Sequence, residues 1–69
     1  MDKDTKRVVK EALRQGWRVE ERSKHIMLWP PDKTLSPVTI ASTPSDKRAL
    51  NNDIARMRQR GFQWPPPKK

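Results

Sequence analysis

A single histidine stands in this chain, His25, within the stretch Ser23-Lys24-His25-Ile26-Met27-Leu28-Trp29. Imidazole is the side-chain type whose charge changes near neutral pH, so proton-transfer chemistry, if any, is sought there first. The stretch is the most apolar run of the chain, and the turn-forming Pro30-Pro31-Asp32 follows it at once. The absence of cysteine excludes a disulfide framework and a thiolate metal site. One histidine excludes a His-rich metal site, and so short a chain leaves no room for a cofactor domain, so neither a metal nor a cofactor is expected.

The elements that must position His25 have little material to draw on. A chain of 69 residues buries only about 60% of its unfolded surface. A surface site is therefore expected rather than a deep pocket. Sixteen Lys and Arg against eight Asp and Glu give a net charge of +8. Such an excess on a small body suits a polyanion, most simply nucleic acid, or else an acidic protein partner or a solvated surface. No apolar run approaches the roughly 18 residues of a membrane span. The start, Met1-Asp2-Lys3-Asp4, lacks the form of a signal peptide, so no membrane association and a cytoplasmic location are expected.

The pattern predicts a helix over residues 1–16, capped by Asp4 or Thr5, with Val8, Val9, Ala12 and Leu13 on its apolar stripe. Gly16 is placed as its stop. Trp17 to Arg22 alternates as a short strand, Ser23-Lys24 reads as a tight turn, and His25 to Trp29 reads as a second strand. Residues 30–37 form a loop, and Val38-Thr39-Ile40 a third strand. Thr43 with Asp46 resembles a capping box, with Pro44 at the first helical position. The second helix then runs to about Arg60, burying Leu50, Ile54 and Met57, and Gly61 stops it. Phe62 and Trp64 are expected to fold back on the core, leaving Pro65-Pro66-Pro67-Lys68-Lys69 as a polyproline-II tail.

The order α-β-β-β-α predicts an α+β two-layer sandwich, a three-stranded antiparallel sheet with two helices on one face. Residues 1–64 make the single domain and 65–69 its Pro/Lys-rich tail. If Ile26 and Leu28 point into the helices, His25, Met27 and Trp29 share the open face. There bases can stack on the indole while Lys and Arg hold phosphates. Alternatively, the tail or a second copy of the chain covers Met27 and Trp29. In the opposite register, His25 faces the helices and the site moves to the sheet edge.

Leu13-Arg14-Gln15-Gly16-Trp17-Arg18-Val19, Ser23-Lys24-His25 before Ile26-Met27-Leu28-Trp29, and Met57-Arg58-Gln59-Arg60-Gly61-Phe62 together resemble the HicA toxin family. The resemblance covers about residues 5–63. It implies a double-stranded-RNA-binding-domain-like fold and a small metal-independent endoribonuclease, an mRNA interferase of a toxin–antitoxin pair. It also implies His25 as the catalytic residue, mRNA as substrate and a HicB-like antitoxin as partner. Lys24 stands where the family has Ser or Thr, Ser23 where it has glycine, and Ala41-Ser42-Thr43-Pro44 lacks the family's second histidine.

In such a reaction His25 serves as the base that takes the ribose 2′-OH proton, or as its acid partner. Nearby cations then stabilise the charge on phosphorus. Arg22, Lys24 and Trp29 are candidate RNA contacts around it, and Arg56 and Arg60, one turn apart on the second helix, are candidates for phosphate. A second reading is a non-catalytic nucleic-acid-binding regulatory module, in which the sheet-and-helix scaffold and the basic end of the second helix, with Arg56 and Arg60, hold duplex or structured RNA, or DNA, by shape and phosphate contacts. In either reading a monomer or weak dimer is expected. In a third, the basic surface docks an acidic antitoxin, or the Trp64-Pro65-Pro66-Pro67 segment serves as a ligand for an aromatic groove.

Overall fold

The computed structural model describes residues 2–43 and 46–66. Helix α1 (Lys3–Arg14) leads into strands β1 (Arg18–Glu21), β2 (His25–Trp29) and β3 (Val38–Ala41), and helix α2 (Lys47–Arg58) follows. The strands form one antiparallel sheet in the order β1-β2-β3. This is the expected α+β sandwich, 28 × 27 × 17 Å, with α1 over β1 and α2 over β3.

Both helices begin at an aspartate. The N-cap of α1 is Asp2, whose extended backbone (ψ 150°) lets its carboxylate accept from the Asp4 N–H at 3.1 Å. The expected caps Asp4 and Thr5 lie inside the helix, and Thr5 is fully buried. Thr5, Val8, Val9 and Ala12 form the buried stripe at i, i+3, i+4 and i+7. Leu13 stands one step of about 100° beyond Ala12 and is 55% exposed rather than in the core. In α2 the N-cap is Asp46, not Thr43: its carboxylate accepts from the Arg48 N–H at 3.0 Å. Pro44, expected at the first helical position, and the 67–69 end of the expected polyproline tail lie outside the described residues. Leu50, Ile54 and Met57 are buried, as the periodicity requires.

The two helices end alike. The Trp17 N–H donates to Ala12 O (2.9 Å) and the Gly16 N–H to Leu13 O (3.2 Å). The Phe62 N–H likewise donates to Met57 O (3.1 Å) and the Gly61 N–H to Arg58 O (3.1 Å). Each is a Schellman closure, which needs a left-handed residue; Gly16 and Gly61 supply it at φ 93° and 94°. Each closure turns the following aromatic residue into the core. Trp17 and Phe62 meet edge to face, 5.7 Å between centroids at 78°, and Trp64 stacks on Phe62 at 5.8 Å. The Gln15 side chain ties this segment to α1, donating to Gln63 O and accepting from the Gln63 N–H, both at 2.9 Å. Glu11 accepts from Gln15 at 2.7 Å and also from Arg14. Those bonds, from Arg14 first and Gln15 second, hold the Glu11 carboxyl below its ordinary value.

Gly16→Ala is expected to lower stability by about 1–2 kcal/mol, the cost of placing a Cβ in the left-handed region. An added Cβ would meet Pro31 only at an ordinary 3.7 Å, so the loss is one of backbone conformation. A urea melt that matched wild type would refute this.

Candidate functional site

The β1–β2 connection is the two-residue loop Ser23-Lys24, closed by the Arg22 N–H donating to His25 O at 2.7 Å. The loop fixes the register: Glu21 opposite Ile26, Glu20 opposite Met27, Val19 opposite Leu28 and Arg18 opposite Trp29. On the other side His25 faces Ala41 and Met27 faces Thr39. Ile26 and Leu28 are fully buried under the helices. By alternation His25, Met27 and Trp29 lie on the face the helices leave open.

That face has three rows. Arg22, His25 and Ala41 make the first, Glu20, Met27 and Thr39 the second, Arg18 and Trp29 the third. Directly opposed side chains have Cβ atoms about 4.5–5.5 Å apart, and diagonal ones stand about 7–8 Å apart. Exposed His25 therefore has Arg22 as its direct neighbour and Glu20 and Thr39 on its diagonals. Arg22 is bound to Glu20 at 2.6 Å, and both side chains are exposed. An exposed pair of this kind is worth about 0–1 kcal/mol, so a phosphate can draw Arg22 away at little cost. Lys24 occupies the turn beside His25, and its carbonyl accepts from the Ser42 N–H at 3.2 Å. Ser42 O in turn accepts from the Asp2 N–H at 2.9 Å, which ties the His25 end of the sheet to the start of α1.

Trp29 lies at the opposite end of β2, about 13 Å from His25 at the ~3.3 Å rise of a strand residue. The Arg18 guanidinium lies 5.9 Å from its ring centroid. Arg18 and Glu20 were not singled out as site residues from sequence. The signal that finds them is the two-residue loop, which sets both opposite the face that carries His25.

Arg56 and Arg60 belong to a different place. Arg56 donates to Asp53 at 2.9 Å. Arg60 lies beyond the end of α2, where its Nε donates to Ser36 O (2.9 Å) and its Nη1 to Arg56 O (2.8 Å). Arg60 thus pins the 30–37 loop to the end of α2 through its Nε and Nη1. The structure groups Arg22, Lys24 and His25, sets Trp29 at the far end of the same face, and leaves Arg56 and Arg60 outside that face.

Asp53 is buried, and burial pushes its carboxyl above the ordinary 3.8, with Arg56 opposing the shift. The folded chain therefore holds this proton more tightly than the unfolded one. The resulting stability is complete below pH 3.8 and is lost as pH rises through the raised folded value. Asp53→Asn, which cannot ionise, is expected to melt above wild type near neutral pH and to converge with it in acid. A gap independent of pH in thermal melts would contradict this.

Trp64 does not cover the open face. It lines grooves with Val8, Leu50 and Ile54 and with Arg7 and Arg14, on the helix layer, and Pro66 lies beside it there. Among the described residues no helix is long and apolar enough to cross a membrane. No family model, no curated protein and no solved structure matches the chain.

Proposed function

We propose that the chain is a small endoribonuclease of the HicA toxin type, with His25 as its essential group. The observation that carries the reading is the placement of His25: exposed at the head of β2, on the uncovered sheet face, with Arg22 directly across. His25 takes the proton of a ribose 2′-OH, and the 2′-oxygen attacks the adjacent phosphorus. The P–O5′ bond breaks, leaving a 2′,3′-cyclic phosphate, and the departing 5′-oxygen takes up a proton from the protonated imidazole or from water. Arg22 and Lys24 supply positive charge to the phosphorane. The dependence on a 2′-OH selects RNA over DNA. In the toxin–antitoxin setting that the resemblance implies, mRNA is the substrate and a HicB-like protein is the partner that restrains it.

The test is controlled expression of wild type and His25→Ala, with host growth and total RNA integrity as readouts. Arrest and cleavage by wild type alone support the proposal. A second reading, a non-catalytic nucleic-acid-binding regulator, is favoured by the Arg18–Trp29 pair, a platform that binds without chemistry. It predicts salt-sensitive binding without scission by either protein. Arg56 and Arg60 lend this platform no support, because they lie off the open face, Arg56 bonded to Asp53 and Arg60 to Ser36 O and Arg56 O.

A further inference from the structure

The third row of the open face has a shape of its own. Trp29 is half-buried, yet its Nε1 is fully covered and has no hydrogen-bond partner. What the indole presents to solvent is therefore ring carbon with no donor, and the Arg18 guanidinium lies over the ring. Gly16, Arg18, Pro31 and Leu35 join it in a groove of about 440 Å³, within the ~300–1,000 Å³ range of small-ligand sites. Leu35 is exposed there, and Pro30 is buried beneath.

Charge narrows the occupant. Arg18 and Lys33 stand at this groove against one carboxylate, Asp32. Asp32 is already engaged: its Oδ1 accepts from the Thr34 hydroxyl (2.6 Å) and N–H (2.9 Å). Those two bonds hold its carboxyl below the ordinary value. Indole carbon flanked by cations suits a planar ring on an anionic chain. Base stacking on an aromatic side chain requires no donor from it and tolerates any base.

We propose that Trp29, Arg18 and this groove seat one unpaired nucleobase of a single-stranded RNA whose backbone runs along β2 toward His25. The run toward His25 rests on the ribonuclease reading; the seat does not. The ~13 Å between the two ends of β2 spans about four nucleotides at the ~3.4 Å stacked rise per strand. The base at Trp29 therefore lies within about four nucleotides of the phosphate at His25. A duplex cannot use the seat, because its bases are already stacked and paired.

The test uses the full chain carrying His25→Ala and a fluorescent single-stranded oligoribonucleotide, with the same strand in a duplex for comparison. Affinities are read by anisotropy at fixed salt. The single strand is expected to bind more tightly than the duplex. Adding Trp29→Leu is expected to weaken it by about 5- to 150-fold with the salt slope unchanged, the range for one base–aromatic stack. Trp29→Phe, which keeps an aromatic face, should stay within a few-fold. Should Trp29→Leu fail to fold, Arg18→Gln decides: it should weaken binding and flatten the salt slope. Equal affinity in every folded variant overturns the seat, as does a preference for duplex. Occupation of the groove by a peptide copy of residues 62–69, without competition from RNA, also overturns it. Absence of cutting by wild type alongside Trp29-dependent binding removes the ribonuclease reading and leaves the seat standing. Cutting by wild type with no effect of Trp29→Leu on affinity removes the seat alone.

Discussion

His25→Ala is expected to reduce the proposed RNA scission by about 10²–10⁴-fold, the contribution of one positioned acid–base group, while leaving the fold intact. His25 heads β2 with its side chain outside the core, and its register is set by backbone bonds that alanine also makes. Melting of the variant should therefore match wild type. RNA binding should survive as well, since the Arg18–Trp29 pair lies four residues away along the strand. Scission assays on a defined oligoribonucleotide, with a melt as control, check both parts. Undiminished scission by a folded variant would remove His25 from the chemistry.

Trp17→Ala is expected to remove a large part of the protein's stability. At roughly 0.05–0.15 kcal/mol per residue, a chain of this length has about 3–10 kcal/mol of stability to lose. Truncating a buried tryptophan typically costs about 3–5 kcal/mol. Trp17 is 3% exposed and gives Phe62 its edge-to-face partner, so its removal also loosens the segment through Trp64. Thermal melts followed by circular dichroism should place Trp17→Ala far below wild type, with Trp17→Phe between the two. A native-like melt for Trp17→Ala would contradict this account of the core.

Periodicity made most of the fold legible. The five elements, the bounds of β2 and both glycine stops follow from alternation, helical spacing and the need for a left-handed residue after each helix. The helix starts were harder, because Asp2, Asp4, Thr5, Thr43 and Asp46 all have side chains able to cap. Only the local backbone selects Asp2 and Asp46. Leu13 misled for a related reason: an apolar residue beside a stripe reads as part of it until packing decides which face is covered. At the site, Met27, Trp29 and His25 could be set on one face by alternation along a single strand. Arg18 and Glu20 required pairing between strands. Arg60 reads as a phosphate candidate because nothing local in sequence shows that Ser36 O will lie within its reach.

The contact between Trp17 and Phe62 bears on how the chain folds as it leaves the ribosome. The first helix and all three strands emerge before Phe62 does, yet Trp17, which closes that helix, lacks its edge-on partner until then. The earlier portion therefore has no complete core of its own to settle into. Small domains reach the native state in one concerted step; here that step waits on the second helix and the aromatic residue just past it. Nascent chains halted before that point would expose an indole and a sheet with half its covering layer missing, which makes them substrates for chaperones rather than smaller versions of the protein.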